Sequence, residues 1–404
     1  MATTCPRIAC LDLDTFFVSV ERVLNPELQG KPVVVGGRPG QRGVVTACSY
    51  EVRALGVRSG MSLTDAGRLA PDAIYLPTRH DTYGDYAERV REIAARYSPV
   101  IRVASIDELF IDFRGCERLY HRAGDLTPDA TILRVVHELT GAIQGELGLP
   151  ASVGVATSRS LAKVASTLAK PAGVVLVPAG QEADYLAPLP VRRLPGIGPV
   201  AEAKLARIGI TRIGEIAQTP LADLRATFGA WAPSVQRGAL GLGEADLGRD
   251  RPAFREHDPL GEVIGSISNE RTFHRDVRDL RSVERALCGL TERVCYRARK
   301  RGVKVRTVSL KLRYADFHTL SRSRTISATD SEFDLYPVVR QLYDTGNTRR
   351  LPIRLLGVAL SNLVIGEVQL PLFPTHERLH DAVDSIRAKF GFDALQMAGS
   401  VTKK

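Results

Sequence analysis

Two short runs of the sequence carry closely spaced carboxylates among apolar residues. The first is Cys10-Leu-Asp-Leu-Asp14, and the second is Ala104-Ser-Ile-Asp-Glu-Leu-Phe-Ile-Asp112. Carboxylates that meet at one edge of a sheet can hold a hard cation such as Mg²⁺, which takes a few carboxylates together with substrate phosphates. Either run alone is more typical of solvated acids at turns, so other residues must decide between the two interpretations.

The spacing within the second run sets a condition on its geometry. Neighbouring residues of a regular strand point to opposite faces, so Asp107 and Glu108 can reach one site only if Asp107 lies in the turn before the strand. The Ser105-Ile106 pair that precedes them allows such a turn.

Hydroxyls and cations recur at spacings that suit a phosphate site. Thr46, Tyr50 and Arg53 follow a short apolar run, and the last two are three residues apart, on one face of a helix. Lys163 and Lys170 are seven residues apart, which predicts one helical face for both. Facing the carboxylates, these groups would form a triphosphate clamp, with metal ions neutralising the acids. Singly, each is more often a surface residue than a ligand.

The elements that must position these residues follow from hydrophobic periodicity in the first 170 residues. Residues 8–13 predict a strand and residues 15–24 a helix; an insert over 25–78 opens on Lys31-Pro-Val-Val-Val-Gly-Gly. Within the insert we expect a strand at 44–47 and short helices at 50–55 and 63–69. Amphipathic spacing predicts helices over 81–98 and around 132–143, with strands at 100–103, 109–113 and 151–156. This order predicts an α/β layer with both long helices on one face of the sheet.

The sequence after residue 170 has a helical pattern, and a glycine-containing turn within it opens one predicted helix. Leu194-Pro-Gly-Ile-Gly-Pro-Val-Ala-Glu-Ala-Lys-Leu205 is typical of a helix-hairpin-helix. The backbone amides around Gly196 and Gly198 could hold one DNA phosphate without reading bases. A plain helical turn is the alternative.

Most of the net charge of +10 lies in one region, because residues 259–365 hold 20 Lys and Arg against 11 Asp and Glu. Six cations fall within Arg297–Arg306, and Lys311, Arg313, Arg322 and Arg324 follow. Alternation along the predicted strand places Ser309, Lys311 and Arg313 opposite an apolar face, as DNA backbone binding requires. A solvated face is the alternative. The whole region predicts a βαββαβ domain.

Composition excludes several classes of protein. With 44% hydrophobic and 25% charged residues, the chain is too apolar to be disordered and long enough for more than one core. No run of 18 apolar residues predicts a membrane span. Six cysteines without zinc-ligand spacing predict reduced thiols and no structural metal.

Taken together, these motifs resemble the Y-family translesion DNA polymerases of the DinB type. The resemblance extends in family order from residue 8 to about residue 365. The matching pieces are Asp12-Leu-Asp-Thr-Phe-Phe, Leu24-Asn-Pro-Glu-Leu-Gln-Gly-Lys-Pro-Val-Val-Val, Thr46-Ala-Cys-Ser-Tyr-Glu-Val-Arg53, Ser105-Ile-Asp-Glu, Leu168-Ala-Lys-Pro and Pro195-Gly-Ile-Gly.

The resemblance implies an α/β multidomain fold shaped like a right hand. It comprises a ferredoxin-like catalytic palm, small fingers, a helical thumb with the helix-hairpin-helix and a βαββαβ little finger that binds DNA. The implied bounds are 1–24 and 79–170 for the palm, 25–78 for the fingers, 171–244 for the thumb, 245–258 for a linker, 259–365 for the little finger and 366–404 for a tail.

The resemblance also implies template-directed, low-fidelity synthesis on damaged DNA by two-metal catalysis, without a proofreading domain. Two Mg²⁺ ions, with Mn²⁺ as a possible substitute, would be held by Asp12, Asp107, Glu108 and the backbone carbonyl of Leu13. One metal would activate the primer 3′-hydroxyl, and the other would hold the triphosphate.

The nucleotide contacts are implied residue by residue. Phe17 matches the aromatic steric gate that excludes a ribose 2′-hydroxyl, with a core residue as the alternative, while Phe16 is expected in the core. Thr46, Tyr50, Arg53 and Lys170 match triphosphate contacts.

Three positions fit the family pattern less closely. Lys163 is a weaker match to a triphosphate contact. Leu109-Phe110 stands where Ala-Tyr is common, and Thr15 replaces an aromatic residue of some relatives.

The tail contains a peptide that resembles the clamp-docking peptide of bacterial polymerases. Gln369, Leu370, Leu372 and Phe373 would bind an apolar groove on a sliding clamp. Apolar spacing after it predicts an amphipathic helix from about residue 379 to residue 390. The expected partners are primer–template DNA, dNTPs and the clamp, for a monomer in the bacterial cytoplasm and nucleoid that does not bind membranes.

Two other functions could use the same scaffold. A non-catalytic accessory protein of the same family would have lost its carboxylates, whereas Asp12, Asp107 and Glu108 are all present. A nucleotidyl cyclase with a similar palm would have no need of a helix-hairpin-helix or a basic C-terminal domain.

Overall fold

A computed structural model describes residues 5–247, 265–365 and 377–401 of the chain. The chain divides into two compact units, Met1–Arg251 and Pro252–Lys404. Most of the predicted linker and the whole predicted clamp peptide lie outside the described residues.

The first unit alternates short strands and helices. Its strands are β1 Ile8–Leu13, β2 Val33–Val35, β3 Ala47–Cys48, β4 Ile74–Leu76, β5 Ile101–Ser105, β6 Glu108–Asp112, β7 Ala151–Ala156 and β8 Val174–Leu176. Its helices are α1 Phe16–Leu24, α2 Tyr50–Ala54, α3 Leu63–Leu69, α4 His80–Ala95, α5 Cys116–Leu119, α6 Pro128–Leu147, α7 Arg159–Ala169, α8 Glu182–Leu186, α9 Pro199–Arg207, α10 Ile213–Gln218, α11 Leu221–Phe228 and α12 Ala232–Ala239.

A five-stranded sheet in the order β5-β6-β1-β7-β8 forms the centre of this unit. Strand β1 is antiparallel to both of its neighbours and is buried on both faces, which explains its nearly continuous apolar sequence. Ala9 and Leu11 pack with the apolar stripes of α4 and α6, as the sequence predicts. Ile8 and Cys10 face the other way and pack with α7.

Helix α7 ends one residue earlier than the spacing of its lysines predicts. Ser158 caps its start, but Lys170 is already extended, with φ −65° and ψ 140°. Pro171 accounts for this end, because proline disfavours the helical conformation in the residue before it. The prediction that Lys163 and Lys170 share one helical face is therefore wrong.

The insert forms a small sheet of its own in the order β3-β2-β4. Val34 of β2 and Val52 of α2 are buried in a separate apolar cluster beneath it. The predicted strand at 44–47 is displaced, because Val44 forms only an isolated bridge to Ser62 and pairing with β2 begins at Ala47.

The second unit has the predicted βαββαβ order, followed by one more helix. Its elements are β9 Ser266–Val277, α13 Leu280–Lys300, β10 Lys304–Tyr314, β11 Thr319–Thr329, α14 Glu332–Gly346, β12 Ile353–Val364 and α15 Glu377–Phe390. The strands form one antiparallel sheet in the order β11-β10-β12-β9. Val308, Leu310 and Leu312 of β10 point into the core shared with α13 and α14, while the alternate residues face away from it.

The predicted tail helix is confirmed as α15, and it is anchored to α13. The Arg387 guanidinium donates to Glu292 at 2.7 Å, and both side chains are 1% exposed. Glu292 also accepts from the Met397 backbone amide and the Ser400 hydroxyl. The described end of the chain is therefore part of the second unit.

Candidate active site

The central sheet brings the two carboxylate runs together. Asp12 of β1 lies directly opposite Glu108 of β6 in the antiparallel register. Asp107 occupies the turn between β5 and β6, and its carbonyl accepts a hydrogen bond from the Leu13 amide at 2.9 Å. The turn that the sequence requires for a shared site is therefore present.

Two lysines approach these carboxylates from separate elements. The Lys170 ammonium group lies 2.5 Å from Asp12 Oδ1, and the Lys163 ammonium group donates to Glu108 Oε2. Burial alone would lower the pKa of Lys163, but the hydrogen bond and charge of Glu108 outweigh it and raise this pKa. Both cations are thus held at the carboxylate edge, although they do not share a helical face.

The carboxylate edge has the properties of a hard-cation site. Burial raises the pKa of Asp12, and the charges of Asp107 and Glu108 add to that rise, whereas Lys170 opposes it. Glu108 Oε1 is buried without a hydrogen-bond partner. A buried carboxylate oxygen left unpaired is costly, and a bound cation would satisfy it. Carboxylate oxygens are ligands that a hard divalent cation prefers, although among the described residues no three His, Cys, Asp or Glu side chains lie close enough together to form a ready-made metal site.

Asp14 lies beside these carboxylates, and its sequence context predicted no specific role for it. It is 1% exposed and accepts from the Ser152 hydroxyl and the Ala172 amide, both at 2.7 Å through Oδ2. Its Oδ1 accepts from the Tyr50 hydroxyl at 3.1 Å. This hydrogen bond connects the insert to the residue that follows β1.

The predicted triphosphate residues of the insert are only partly brought to this edge. The Arg53 guanidinium lies 5.2 Å from the centre of the Tyr50 ring, as their spacing on α2 predicts. Burial and the Asp14 carboxylate raise the pKa of Tyr50, so its hydroxyl stays protonated and donates. Thr46 donates instead to the Val35 carbonyl within its own sheet.

Phe17 lies on α1, half-buried beside the core. Its ring stacks on that of Tyr83, whose hydroxyl donates to Glu21 at 2.6 Å. Glu21 also forms an ion pair with Arg79. Phe16 is 4% exposed and belongs to the core, as expected. No sequence pattern pointed to Tyr83, because its stacking partner is 66 positions away in the sequence.

The glycine turn before α9 contains a position that favours glycine. Gly196 has φ +92°, and a Cβ there would lie 3.0 Å from the Trp231 ring. Gly198 is the residue before α9, and its carbonyl accepts from the Glu202 amide. The turn therefore has the predicted local form, and its contact with DNA stays a prediction.

The cations of the second unit do not share one face. Lys311 and Arg313 lie on the face of β10 away from the helices, and Lys311 pairs with Glu270. Arg322 and Arg324 lie opposite Leu310 and Val308 in the register, so they point to the helix side of the exposed edge strand β11. Arg324 accordingly donates to Gln341 of α14. Lys311 and Arg313 therefore lie on one face of this sheet, and Arg322 and Arg324 lie on the other.

Three family profiles match successive parts of the chain. The impB/mucB/samB family profile matches residues 11–167, and its helix-hairpin-helix motif matches residues 180–210. The C-terminal domain profile of the same family matches residues 265–372.

Curated relatives extend over nearly the whole chain. The chain is 36% identical over 401 residues to "DNA polymerase IV" of Dehalococcoides mccartyi strain CBDB1, covering 96% of each chain. It is 36% identical over 405 residues to the protein of the same name from Opitutus terrae, covering 99% of this chain and 98% of the relative.

Solved structures give the same picture of the fold. A Y-family DNA polymerase chimera aligns with a TM-score of 0.74 and 26% identity, covering 89% of this chain and all of the other. An insertion ternary complex of Dbh DNA polymerase aligns with a TM-score of 0.59 and 25% identity at the same coverage. Among the described residues, no helix is long and apolar enough to cross a membrane.

Proposed function

The chain belongs to the impB/mucB/samB family of Y-family DNA polymerases, and we propose that the carboxylate edge of its central sheet is the polymerase active site. The protein is a DNA-directed DNA polymerase of the translesion type, with DNA and dNTPs as partners. The observation that carries the site proposal is the convergence of Asp12, Asp107 and Glu108 at the paired ends of β1 and β6.

Y-family polymerases use divalent metal ions, and Asp12, Asp107, Glu108 and the Leu13 carbonyl are proposed to hold two Mg²⁺ ions here. Bound metal supplies charge neutralisation at the phosphates and activation of the primer 3′-hydroxyl. The unpartnered Glu108 Oε1 supports this assignment.

The incoming nucleotide is proposed to lie between this edge and the insert. Lys170 is held at Asp12 by a flexible stem, so its ammonium group can turn to a phosphate oxygen when the carboxylate is neutralised. Arg53 lies over the Tyr50 ring and offers its guanidinium to the triphosphate, and Tyr50, whose hydroxyl donates to Asp14, is proposed to lie against the same triphosphate. Thr46 is proposed as a further contact, and Phe17 as the steric gate for deoxyribose.

Duplex DNA is proposed to contact both units through its phosphates. The amides around Gly196 and Gly198 would hold one phosphate, as helix N-termini and tight turns do. Arg322 and Arg324 would add charge at the exposed edge of the second sheet. Such contacts position the duplex without reading its sequence.

A short tail segment is proposed to dock on a bacterial sliding clamp through Gln369, Leu370, Leu372 and Phe373. The protein is also proposed to act as a monomer in the bacterial cytoplasm and nucleoid. The apolar side chains Leu370, Leu372 and Phe373 support a groove-binding peptide. The bacterial sources of the relatives support the location.

Primer extension tests the proposed function most directly. The purified chain should extend a labelled primer on undamaged and lesion-containing templates when Mg²⁺ or Mn²⁺ is added, and should stop when the metal is chelated. It should also leave mismatched primer ends unremoved. Binding of primer–template DNA without any extension, in either metal, would favour the accessory-protein alternative.

A further inference from the structure

Asp14 has a buried carboxylate beside the proposed nucleotide site, and the proposed polymerase mechanism gives it no role. Its three recorded side-chain partners are neutral donors, namely Tyr50, Ser152 and Ala172. Among the described residues, no cation lies within ion-pair distance of it. Burying a carboxylate without a counter-ion costs free energy. Its hydrogen bonds offset part of that cost, and they fix the positions of the groups that donate them.

The first group that Asp14 holds is the turn after α7. Asp12 and Asp14 are two residues apart, and so are their partners Lys170 and Ala172. Ala172 has φ +49°, a left-handed conformation that alanine adopts only when its surroundings enforce it. The bond from its amide to Asp14 is one such restraint, and it fixes the segment from which Lys170 reaches Asp12.

The second group is Tyr50, which belongs to the insert rather than to the central sheet. Its hydroxyl donates to Asp14 while the Arg53 guanidinium lies over its ring. The backbone of Asp14 is itself fixed, because its amide donates to the Pro150 carbonyl and its carbonyl accepts from the Ser19 hydroxyl. Asp14 is therefore a fixed hydrogen-bond acceptor for both the Ala172 turn and Tyr50.

We propose that Asp14 is a positioning residue for the incoming nucleotide, which holds Lys170 through the Ala172 turn and Tyr50 through its hydroxyl. We assign it no metal, since three neutral donors bind its two oxygens and its side chain is 1% exposed. The inference rests on the proposed nucleotide site, because it assigns Asp14 the task of placing two residues of that site.

The test measures dNTP affinity at equilibrium, in a ternary complex with a dideoxy-terminated primer, beside the single-turnover rate. Asp14→Ala should weaken dNTP affinity about 10-fold, because three donors lose their acceptor, and should leave primer–template affinity unchanged. Asp14→Asn should stay within about 3-fold of the native affinity, because its amide oxygen can still accept from two donors and its NH₂ can donate to the Tyr50 hydroxyl.

Asp112→Ala is the matched control. Asp112 is also a buried carboxylate of the central sheet, but it pairs with Ile8 at the opposite end of β1. It should lower thermal stability without changing dNTP affinity. An Asp14→Ala protein no weaker in dNTP affinity than this control would overturn the proposal, as would an Asp14→Asn protein as weak as Asp14→Ala.

Three further variants separate the role of Asp14 from that of the nucleotide site. If Asp14→Ala does not fold, Ser152→Ala takes its place and should weaken dNTP affinity about 3-fold, with no change counting against the proposal. Tyr50→Phe and Lys170→Ala report on the nucleotide site itself. If neither weakens dNTP affinity, the site assignment fails; if both do and Asp14→Ala does not, only the role of Asp14 fails.

Discussion

The rings of Phe17 and Tyr83 lie nearly parallel, with centroids 4.1 Å apart and planes 16° apart. Tyr83 is fully buried, and its hydroxyl is held by Glu21. Phe17 is therefore packed against a rigid support. This suits the proposed steric gate, because a ring that cannot move would exclude a ribose 2′-hydroxyl by direct contact.

Phe17→Ala should let the enzyme incorporate ribonucleotides, because removal of the ring opens space for a 2′-hydroxyl. Discrimination between dNTP and rNTP should fall by at least about 10-fold, or roughly 1.4 kcal/mol. Single-nucleotide incorporation kinetics with both sugars measure this ratio. Tyr83→Phe keeps the stacked ring and serves as the control, with discrimination close to native. Unchanged discrimination in Phe17→Ala would make Phe17 a core residue and place the gate elsewhere.

Replacement of Asp107 or Glu108 by Ala should reduce primer extension by about 1,000-fold or more, since each variant loses a proposed metal ligand. Affinity for primer–template DNA, measured by fluorescence anisotropy, should stay near the native value, because the proposed phosphate contacts lie elsewhere. Glu117→Ala removes a buried carboxylate that pairs with Arg7 away from this edge, and should extend primers normally. Extension at native rates by both site variants would exclude the proposed metal site.

The sequence predicted the parts of this site that depend on local spacing. Because side chains alternate along a strand, Asp107 had to lie in a turn for the two adjacent carboxylates to meet, and it does. The pairing of Tyr50 with Arg53 likewise follows from three-residue spacing on a short helix.

The parts that the sequence did not predict depend on distant contacts. Asp14 and Ala172 are separated by 158 positions, and no periodicity relates a carboxylate to a backbone amide in a turn. Lys170 was misplaced because helical spacing was extended to a residue that precedes proline. The sequence did not predict which face Arg322 and Arg324 occupy, because the register of β11 depends on its pairing with β10 and not on its own sequence.

Glu292→Gln should destabilise the second unit, because it removes the carboxylate that contacts the buried Arg387 guanidinium at 2.7 Å and leaves only Asp384, 3.9 Å away, to balance its charge. Breaking one side of a buried ion pair costs about 3–5 kcal/mol, which should lower the unfolding temperature and increase proteolysis near the C-terminus of the full-length chain. The exposed pair Arg293–Asp393 provides the comparison, since Asp393→Asn should cost less than about 1 kcal/mol. Equal stability of the two variants would show that α15 does not depend on this pair.

Neutralising Arg322 and Arg324 together should weaken duplex binding. If both contact phosphates, the slope of the logarithm of the binding constant against the logarithm of the salt concentration should fall by roughly two. The affinity is measured over a series of salt concentrations. Lys311 and Arg313, on the other face of the sheet, form a second pair to neutralise in the same assay. Arg340→Gln, which removes an arginine paired with Glu284 and Asp344, is the control and should leave the slope unchanged. A native slope for the Arg322 and Arg324 variant would identify these residues as ordinary solvated charges.

Changing Leu372 and Phe373 to Ala should leave synthesis on short primers intact, because all the proposed catalytic and nucleotide residues lie elsewhere. The same change should abolish stimulation by a bacterial sliding clamp, since a short peptide draws most of its affinity from a few buried apolar anchors. Docking on the clamp raises the concentration of polymerase at the primer end, so its loss should appear as shorter products on clamp-loaded templates. Leu379→Ala, on the exposed face of α15, is the matched apolar control and should keep full stimulation. Native clamp stimulation in the double variant would exclude this peptide as the docking site.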